Sequence, residues 1–494
     1  MLVSVVFSID ASSVITVLLV VKEETITVDV DTTLVPSLKL NVEDASTNIN
    51  VIDVEVSDVA EVIDTISSLS IGSMYRATST FDDMPIKDKV RKALYDVMKF
   101  ERPSQIQASV WSVMLESPFP SIIAQGHNGV GKTTCFVVGM LCRVDEALAT
   151  PQAICVCVTR ELVKQTYDVA CRIGRHTGID IYDASSAECD ALATSKGAPS
   201  LTAQVVIGTM GKLKNLTTKR RSAKPLLPVD SVRMVVFDEA DVMMDSRLYP
   251  HNFTDSQRFI KECGGKTKPQ ILLFSATFSE HVQRFIEGYL PDAHKVFVKK
   301  EDLTLDAITQ WRVSCDSKAA KLVFLRELFP LCTKLCQTVV FVETRNECRE
   351  IYNLLKGEGW PICALDGGMA AADRDSVVED FRMGRTKIMV ATNAVARGFD
   401  CTSISLVINY DPPVDTIKDK NGNVTGKTAG CETYMHRIGR SGRFGRKGVA
   451  FNLCSTSMET TIYNKIEKHF DCTIPTIDAR DEEGLEKVLE DAGL

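Results

Sequence analysis

The clearest chemical pattern in the sequence is the loop from Gly126 to Thr133, which reads Gly-His-Asn-Gly-Val-Gly-Lys-Thr. It follows a short apolar segment, Ile122–Ala124, and precedes a helical pattern. In this strand–loop–helix context, glycines let backbone N–H groups surround phosphates, Lys132 reaches the β and γ phosphates, and Thr133 binds Mg²⁺. The N-terminus of the helix also attracts anions. The loop therefore predicts a site for a nucleoside triphosphate and magnesium.

Acidic residues form a second candidate group, the run Asp238-Glu239-Ala240-Asp241. The preceding segment, Met234–Phe237, predicts a buried strand that would place Asp238 at the C-terminal edge of a parallel sheet, where ligands bind. Asp238 can hold Mg²⁺ through its water shell, and Glu239 can polarise an attacking water. Together with the phosphate loop, these carboxylates predict hydrolysis of the bound triphosphate.

The elements that must position these residues follow from hydrophobic periodicity. Short β-branched segments alternate with helical patterns, which predicts βαβ units and parallel sheets. The first series of strands is predicted at Ile122–Ala124, Ala153–Val158, Val205–Ile207, Met234–Phe237 and Ile271–Phe274. The second series is predicted at Thr338–Val342, Ile362–Leu365, Lys387–Val390, Ser405–Ile408 and Gly448–Leu453. A charged stretch separates the two series, so the predicted fold class is α/β with two tandem domains, each a mainly parallel sheet flanked by helices.

Charge is unevenly distributed along the 494 residues. Residues 1–75, where Val and Ile alternate with acidic and hydroxyl side chains, carry a net charge of −10, whereas the rest carries +2. This balance argues against a polycationic nucleic-acid coat but permits a locally basic groove. The predicted division is an acidic flexible arm (1–73), a first domain (74–297), a linker (298–308), a second domain (309–476) and a tail of acidic helical character (477–494).

The composition also indicates the cellular compartment in which the chain is expected. The 16 cysteines include no CxxC pair, so no zinc site is predicted. No stretch of about 20 apolar residues occurs, and no basic segment precedes the apolar N-terminal runs, so we expect neither a signal peptide nor a membrane anchor. Reduced thiols in the cytosol or nucleus are then expected. We further expect a monomer that makes no membrane contact.

Further segments extend the two motifs in a fixed order. They are Phe81, Phe100–Gln107, Ser275-Ala276-Thr277, Phe341–Thr344, Ala391–Asp400 and His436–Arg443. With the phosphate loop and Asp-Glu-Ala-Asp, they resemble the motifs of the DEAD-box ATP-dependent RNA helicases. The resemblance spans 390 positions, from Phe81 to Phe470. It implies two RecA-like domains that use ATP and Mg²⁺, hydrolyse ATP in response to RNA, unwind short RNA duplexes and remodel ribonucleoproteins.

The resemblance places the ATP site between the two domains. Gln107 carries both a donor and an acceptor, so it can pair with adenine N6 and N7 but not with guanine, and Phe81 can stack on the base. Arg440 and Arg443 would reach across the cleft to the γ-phosphate as arginine fingers. The implied ATP-contacting residues are Phe81, Phe100, Arg102, Gln107, Gly126, His127, Asn128, Gly129, Val130, Gly131, Lys132, Thr133, Thr134, Gly398, Asp400, Arg440 and Arg443.

The same resemblance assigns catalytic and coupling roles. His436 would link the two domains, and Asp400 would contact the ribose. The implied catalytic residues are Lys132, Asp238, Glu239, His436, Arg440 and Arg443, with Thr133 and Asp238 holding the metal. The residues implied to couple hydrolysis to strand separation are Ser275, Ala276 and Thr277.

RNA contacts implied by the resemblance come from both domains and go to the sugar–phosphate backbone, which predicts sequence-independent binding. The matching positions are Thr159, Arg160, Glu161, Gly197, Thr209, Gly211, Arg345, Gly367, Arg374 and Thr392. Four departures from the family pattern lie near this surface: Val158 and Met210 replace prolines, Asp366 replaces a histidine, and Ala371 replaces a glutamine. Because lost prolines loosen loops that must be ordered on binding, we expect a raised RNA requirement.

Finer features resemble one branch of the family, the mRNA-export helicases, in a plant-like form. They are the segments Ala124–Phe136 and Leu272–Phe278, the segment Phe444–Gly448, and a long segment from Asp411 to Tyr434. The resemblance implies RNA, a cytoplasmic-face nucleoporin and an inositol-hexakisphosphate-dependent activator as partners. It places the chain in cytoplasm and nucleus, enriched at the cytoplasmic face of the pore. The alternatives are a low-turnover ATP-dependent RNA clamp or translation-linked remodeller of the same family, and a P-loop DNA helicase.

Overall fold

The computed structural model describes residues 80–126, 129–195, 197–218, 225–246, 248–297, 308–332, 337–393, 404–418, 424–441 and 447–494, and the backbone of four strands before residue 54. These strands form an antiparallel sheet in the order β3-β2-β1-β4 within a compact unit of its own, Met1–Arg76. They are β1 (Ser4–Ile9), β2 (Val14–Val21), β3 (Glu24–Asp31) and β4 (Ile49–Asp53). The other residues of the arm predicted over 1–73 lie outside the described part of the chain.

The first domain of the second unit, Ala77–Leu494, is built on a seven-stranded parallel sheet in the order β11-β5-β10-β9-β6-β8-β7. Every residue of the central strands β6, β9 and β10 is buried, as continuous apolar strands in a two-sided parallel sheet require. The strands are β5 (Ile122–Gln125), β6 (Ala153–Cys157), β7 (Ile181–Asp183), β8 (Val205–Thr209), β9 (Met234–Asp238), β10 (Gln270–Ser275) and β11 (His294–Phe297).

Helices cover the two faces of this sheet, because parallel strands can be joined only by crossover connections. The helices are α1 (Asp88–Asp96), α2 (Gln105–Met114), α3 (Lys132–Arg143), α4 (Arg160–Gly174), α5 (Ala187–Thr194), α6 (Met210–Thr217), α7 (Ala240–Met244), α8 (Pro250–Glu262) and α9 (Glu280–Tyr289). Side-chain oxygens of Ser104, Thr159, Ser186 and Ser279 cap helices of this set by accepting backbone N–H groups. The loops that enter these helices are therefore fixed locally.

The second domain repeats the plan with a seven-stranded parallel sheet in the order β14-β15-β13-β16-β19-β12-β20. Its strands are β12 (Ile308–Ser314), β13 (Gln337–Val342), β14 (Ile362–Leu365), β15 (Ile388–Thr392), β16 (Ile404–Asn409), β19 (Gly448–Cys454) and β20 (Thr476–Asp478). Its helices are α10 (Lys318–Cys332), α11 (Arg345–Gly357), α12 (Ala371–Arg382), α13 (Cys431–Ile438), α14 (Ser457–Phe470) and α15 (Glu482–Asp491). The strands predicted from the sequence are all present, with ends within two residues of the predicted ones. The predicted linker lies, except for its last residue, outside the described ranges.

Two features of the second domain go beyond the sequence prediction or differ from it. The long segment after Asp411, for which no structure was predicted, contains an antiparallel hairpin, β17 (Val414–Lys418) and β18 (Val424–Ala429). The chain after residue 476 is not a separate tail, because β20 pairs with β12 and α15 buries Leu485 and Leu489 in the domain core. Edge strands such as β20 escape prediction because they are short and only partly apolar. Within the described residues, no helix is both long enough and apolar enough to cross a membrane.

Candidate active site

The phosphate loop joins β5 to α3 and depends on backbone conformations that glycine adopts readily. Gly129 has φ 92° and Gly131 has φ 88°, both in the left-handed region. The Gly126 N–H donates to Ser275 O at 3.1 Å, which ties the loop to β10. Lys132 is buried, and its Nζ donates to Gly126 O at 2.5 Å. Burial lowers the pKa of Lys132, while the charge of Glu239 opposes that effect.

Gln107 braces this loop, a role that the sequence did not reveal. Its Nε2 donates to Gly131 O at 3.2 Å, and its Oε1 accepts from the Ser104 N–H at 2.9 Å. The Ser104 hydroxyl donates to Val130 O at 2.8 Å. A Cβ on Gly131 would lie 2.3 Å from Gln107 Nε2, so only glycine fits there. The element predicted to read adenine thus also holds the phosphate loop in position.

The aromatic residues assigned to the base differ in placement. Phe81 is fully buried, with its ring 5.2 Å from that of Tyr95 and 6.0 Å from that of Trp111, between centroids. Its ring offers no free face to a base in this conformation, so stacking by Phe81 stays a prediction. Phe100 is partly buried against the same core, and Arg102 is exposed.

The acidic run begins where β9 ends. Glu239 has φ 53° and ψ 53°, a left-handed conformation unusual for a residue with a side chain. Its N–H donates to the Asp238 carboxylate at 3.1 Å. Burial, and next the charge of Glu239, raise the pKa of Asp238 to about 7. A backbone strain and a buried carboxyl pair at one strand end are features that recur at functional sites.

The coupling segment contacts both motifs of the first domain. The Ser275 hydroxyl donates to Asp241 Oδ1 at 2.8 Å, and the Thr277 N–H donates to that hydroxyl at 3.2 Å. Ala276, between them, is buried. Since Ser275 O also accepts from the phosphate loop, this residue links the nucleotide site to the acidic run.

The second domain meets this site through α13. His436 is fully buried, with Nδ1 3.7 Å from Glu239 Oε1 and Nε2 3.7 Å from Asp241 Oδ2. Arg440 is buried, donates from Nε to His436 O at 2.9 Å, and is close enough to Lys132 for its charge to lower the pKa of that lysine. The structure thus brings these predicted residues of both domains together. Other predicted site residues lie outside the described ranges: His127, Asn128, Gly398, Asp400 and Arg443.

The predicted RNA-contacting residues lie mostly at helix N-termini. Thr159 and Thr209 are the N-cap residues of α4 and α6, and Arg345 is the first residue of α11. Such helix ends bind phosphates. Most of the predicted RNA-contacting residues are accessible: Arg160 is partly exposed, and Gly211, Arg345 and Gly367 are exposed. Gly197 has a left-handed backbone conformation with φ 76°. Thr392, in contrast, is buried. The structure brings Glu161 and Arg374 together across the cleft, with 2.6 Å between Oε1 and Nη2.

Three of the four departures from the family pattern have a structural explanation. Met210 is the first residue of α6, and its side chain is buried in the domain core. Val158 is partly buried and packs against the cores of the first domain. Asp366 is buried, accepts from the Gly368 N–H at 2.6 Å and pairs with Arg349 Nε at 3.3 Å. The missing prolines are therefore replaced by apolar packing, and the missing histidine by an ion pair.

Arg437 has a structural role that the motif did not reveal. It is fully buried and donates to Asn393 Oδ1 at 2.8 Å, to Asn409 Oδ1 at 2.9 Å and to Asp411 O at 2.7 Å. Burial lowers its pKa to about 10. Arg437 thereby ties α13 to β15 and β16 within the second domain.

We predict that Asp411 makes the stability of the second domain depend on pH. Burial, and next the adjacent Glu347 side chain, raise the pKa of Asp411 to about 7. An acid whose pKa rises on folding stabilises most below its unfolded value near 4, and that contribution is lost as pH rises to 7. In Asp411→Asn, the free energy of unfolding in urea should therefore change less between pH 4 and pH 7 than in the wild type. The difference between the two changes should be on the order of 1–2 kcal/mol. A variant with unchanged pH dependence would contradict the assignment, and Asp373→Asn, an exposed acid of the same domain, is the control.

The site is assembled from two parallel-sheet domains. The first domain supplies a phosphate loop and an acidic strand end, and the second supplies a histidine and an arginine that lie against them. This arrangement defines a RecA-like nucleoside triphosphatase whose site lies in the cleft between the domains.

Comparison with known proteins identifies the family. The DEAD/DEAH box helicase model matches residues 104–285, and the helicase conserved C-terminal domain model matches residues 320–445. DEAD-box ATP-dependent RNA helicase 38 of Oryza sativa subsp. japonica is 38% identical over 426 residues, which cover 86% of this chain and 81% of that relative. The chain belongs to the DEAD-box ATP-dependent RNA helicases, enzymes that hydrolyse ATP in response to RNA.

Solved structures share this arrangement. Saccharomyces cerevisiae Dbp5 bound to RNA and ADP BeF3 matches with a TM-score of 0.72 and 33% identity, over 84% of this chain and 99% of that one. A variant of the same yeast protein bound to Nup159, a Gle1 variant, IP6 and ADP matches with a TM-score of 0.54 and 32% identity, over 82% and 99%. By TM-score, this chain is more similar to the RNA-bound structure than to the structure with Nup159 and the Gle1 variant.

Proposed function

We propose that this chain couples ATP binding and hydrolysis to local unwinding of RNA duplexes and remodelling of ribonucleoproteins during export of mRNA from the nucleus. The contact of His436 with both Glu239 and Asp241 is the observation that carries the coupling of hydrolysis to unwinding. It means that closure of the cleft assembles a site from groups of both domains. Closure would grip one RNA strand in a bent form and release the other, and hydrolysis would reopen the cleft.

Within the closed site, each residue has a distinct task in hydrolysis. Glu239 Oε2 is buried without a hydrogen-bond partner among the described residues, so it is free to orient the attacking water. Lys132 and Arg440 would offset the negative charge of the transferring phosphoryl group. His436 would contact the acidic run only when the cleft is closed. Ser275, which contacts both the acidic run and the phosphate loop, would couple the positions of these two segments.

The metal site fits Mg²⁺. Asp238 is a buried carboxylate at the end of β9, and burial with the charge of Glu239 raises its pKa, so a divalent cation beside it would stabilise its charged form. Thr133 follows Lys132 in the first turn of α3, so its hydroxyl belongs to the same loop. Asp238 and Thr133 would hold the ion, which supplies polarisation of the phosphate oxygens. His127, Asn128, Gly398, Asp400 and Arg443 would complete the nucleotide contacts.

The link to mRNA export rests on the similarity to Dbp5. The similar structures include one in which the yeast protein is bound to Nup159, a Gle1 variant and IP6. A nucleoporin and an inositol-hexakisphosphate-dependent activator are therefore the partners we propose, with the chain in cytoplasm and nucleus and enriched at the cytoplasmic face of the pore. Capture of these two classes of partner by the full chain, with inositol hexakisphosphate as the variable, tests this part.

An unwinding assay tests the activity itself. With a short RNA duplex, we expect strand release that needs hydrolysable ATP and fails with a matched DNA duplex. Retention on RNA without strand release would favour the alternative of an ATP-dependent clamp. Equal unwinding of DNA would favour the P-loop DNA helicase.

Nucleotide choice tests the role of Gln107. We predict at least tenfold preference for ATP over GTP, because a site built to pair with the adenine edge leaves its polar groups mismatched on guanine. Since Gln107 also braces Gly131, Gln107→Ala should weaken binding of both nucleotides and reduce the preference. Competitive binding of labelled ATP and GTP measures both effects. If the variant keeps the full preference, Gln107 only braces the loop.

A further inference from the structure

Two ion pairs cross the cleft side by side, between α4 of the first domain and α12 of the second. Glu161 Oε1 lies 2.6 Å from Arg374 Nη2, and Lys164 Nζ lies 2.5 Å from Asp375 Oδ2. Glu161 and Lys164 are one helical turn apart on the same face of α4. Each pair therefore joins a side chain of α4 to a side chain of α12 across the cleft.

The two pairs differ in burial and in assignment. Glu161 and Arg374 have side chains 9% and 16% exposed, and both match RNA-contacting positions of the family. Lys164 and Asp375 are each 39% exposed, and neither belongs to any motif noted in the sequence. Ala371, at the start of the same helix α12, replaces the glutamine usual in the family. The outer pair adds a polar contact between α4 and α12.

An exposed ion pair contributes little to the stability of a folded domain, but this one joins two domains. It forms only when the cleft is closed, so its whole contribution acts on the closure equilibrium rather than on folding. An exposed pair of this kind shifts such an equilibrium by about twofold to fivefold. Screening by salt should reduce the contribution.

We propose that Lys164 and Asp375 are positioning residues that hold the two domains in the closed arrangement and so lower the RNA concentration needed to stimulate ATP hydrolysis. Neither residue touches the phosphate loop or the acidic run among the described contacts. Their effect should fall on the RNA requirement and not on the maximal rate. The inference rests on the proposed function, because it concerns closure on ATP and RNA.

A charge-swap cycle in the full-length chain tests the pair. Lys164→Glu and Asp375→Lys each place like charges across the cleft and should raise the RNA concentration for half-maximal ATPase about fivefold. The maximal rate should change by less than about twofold, since no catalytic group is altered. The double variant restores opposite charges and should return to within about twofold of the wild type. The single-variant effects should shrink at high salt.

A matched control and a second measurement separate this pair from general charge effects. Arg326 and Glu358 form an ion pair of similar exposure inside the second domain, and their charge swap should leave the RNA requirement unchanged. Small-angle scattering with ADP BeF3 and poly(U) reports closure without hydrolysis, and the single variants should show a smaller compact fraction.

The outcomes are distinct. Single variants with wild-type RNA requirement, or a double variant as impaired as the singles, overturn the proposal. If the wild type shows no RNA-stimulated ATPase, the proposed function fails instead. In that case the compact fraction of the single and double variants with ADP BeF3 and poly(U) still decides whether the pair holds the closed form.

Discussion

Replacing Glu239 with glutamine should reduce ATP hydrolysis by at least about 100-fold, the usual contribution of a residue that activates the attacking water. Glutamine keeps the size of the side chain and the left-handed turn at the end of β9, but it removes the charge. ATP-dependent retention on RNA should persist or increase, because closure precedes hydrolysis and the closed form is then not reset. Single-turnover hydrolysis and filter retention of labelled RNA measure the two effects.

A second variant shows whether the loss is specific to the chemical step. Lys132→Ala removes the buried amine that donates to Gly126 O and that we propose would bind the phosphates. The substitution should therefore abolish tight nucleotide binding and, with it, retention on RNA. Glu239→Gln and Lys132→Ala should therefore differ in retention although both lose hydrolysis. Hydrolysis at the wild-type rate in Glu239→Gln would show that another carboxylate activates the water.

Arg437→Ala should unfold the second domain at a much lower temperature. The substitution removes a fully buried guanidinium and leaves the acceptors on Asn393, Asn409 and Asp411 without their donor. Removing one member of a buried polar network lowers the free energy of unfolding by about 3–5 kcal/mol. For a domain of this size, the unfolding temperature should then fall by about 10 °C. Calorimetry of the full chain, together with fluorescence of Trp311 and Trp360, follows the second domain.

The control for this prediction is Arg345→Ala. Arg345 is an exposed arginine of the same domain, so its removal should change stability by less than about 0.5 kcal/mol while weakening RNA binding. If Arg437 instead contacts a ligand, its substitution should leave the unfolding temperature unchanged and reduce only ATPase. That result would make Arg437 a direct site residue.

The sequence by itself determined the chemistry of the first domain and the class of fold. The sequence near each motif was sufficient for this prediction, because a phosphate loop requires only a strand, glycines and the start of a helix within about a dozen residues. Asp238 and Glu239 were likewise placed by the buried strand before them. The central strands were predictable since parallel strands covered on both faces are continuous apolar runs.

Only the tertiary structure decided which side chains of the two domains meet. The contact of His436 with Glu239 and Asp241, and the pairs Glu161–Arg374 and Lys164–Asp375, join residues about 200 positions apart. Hydrophobic periodicity describes only neighbouring residues in the sequence, so it cannot predict contacts between residues this far apart. The resemblance assigned Arg440 to the nucleotide and gave Arg437 no role, and the structure distinguishes Arg437 as a buried residue that donates to Asn393 and Asn409. That distinction depends on which face of α13 packs against β15 and β16, a property of the assembled sheet.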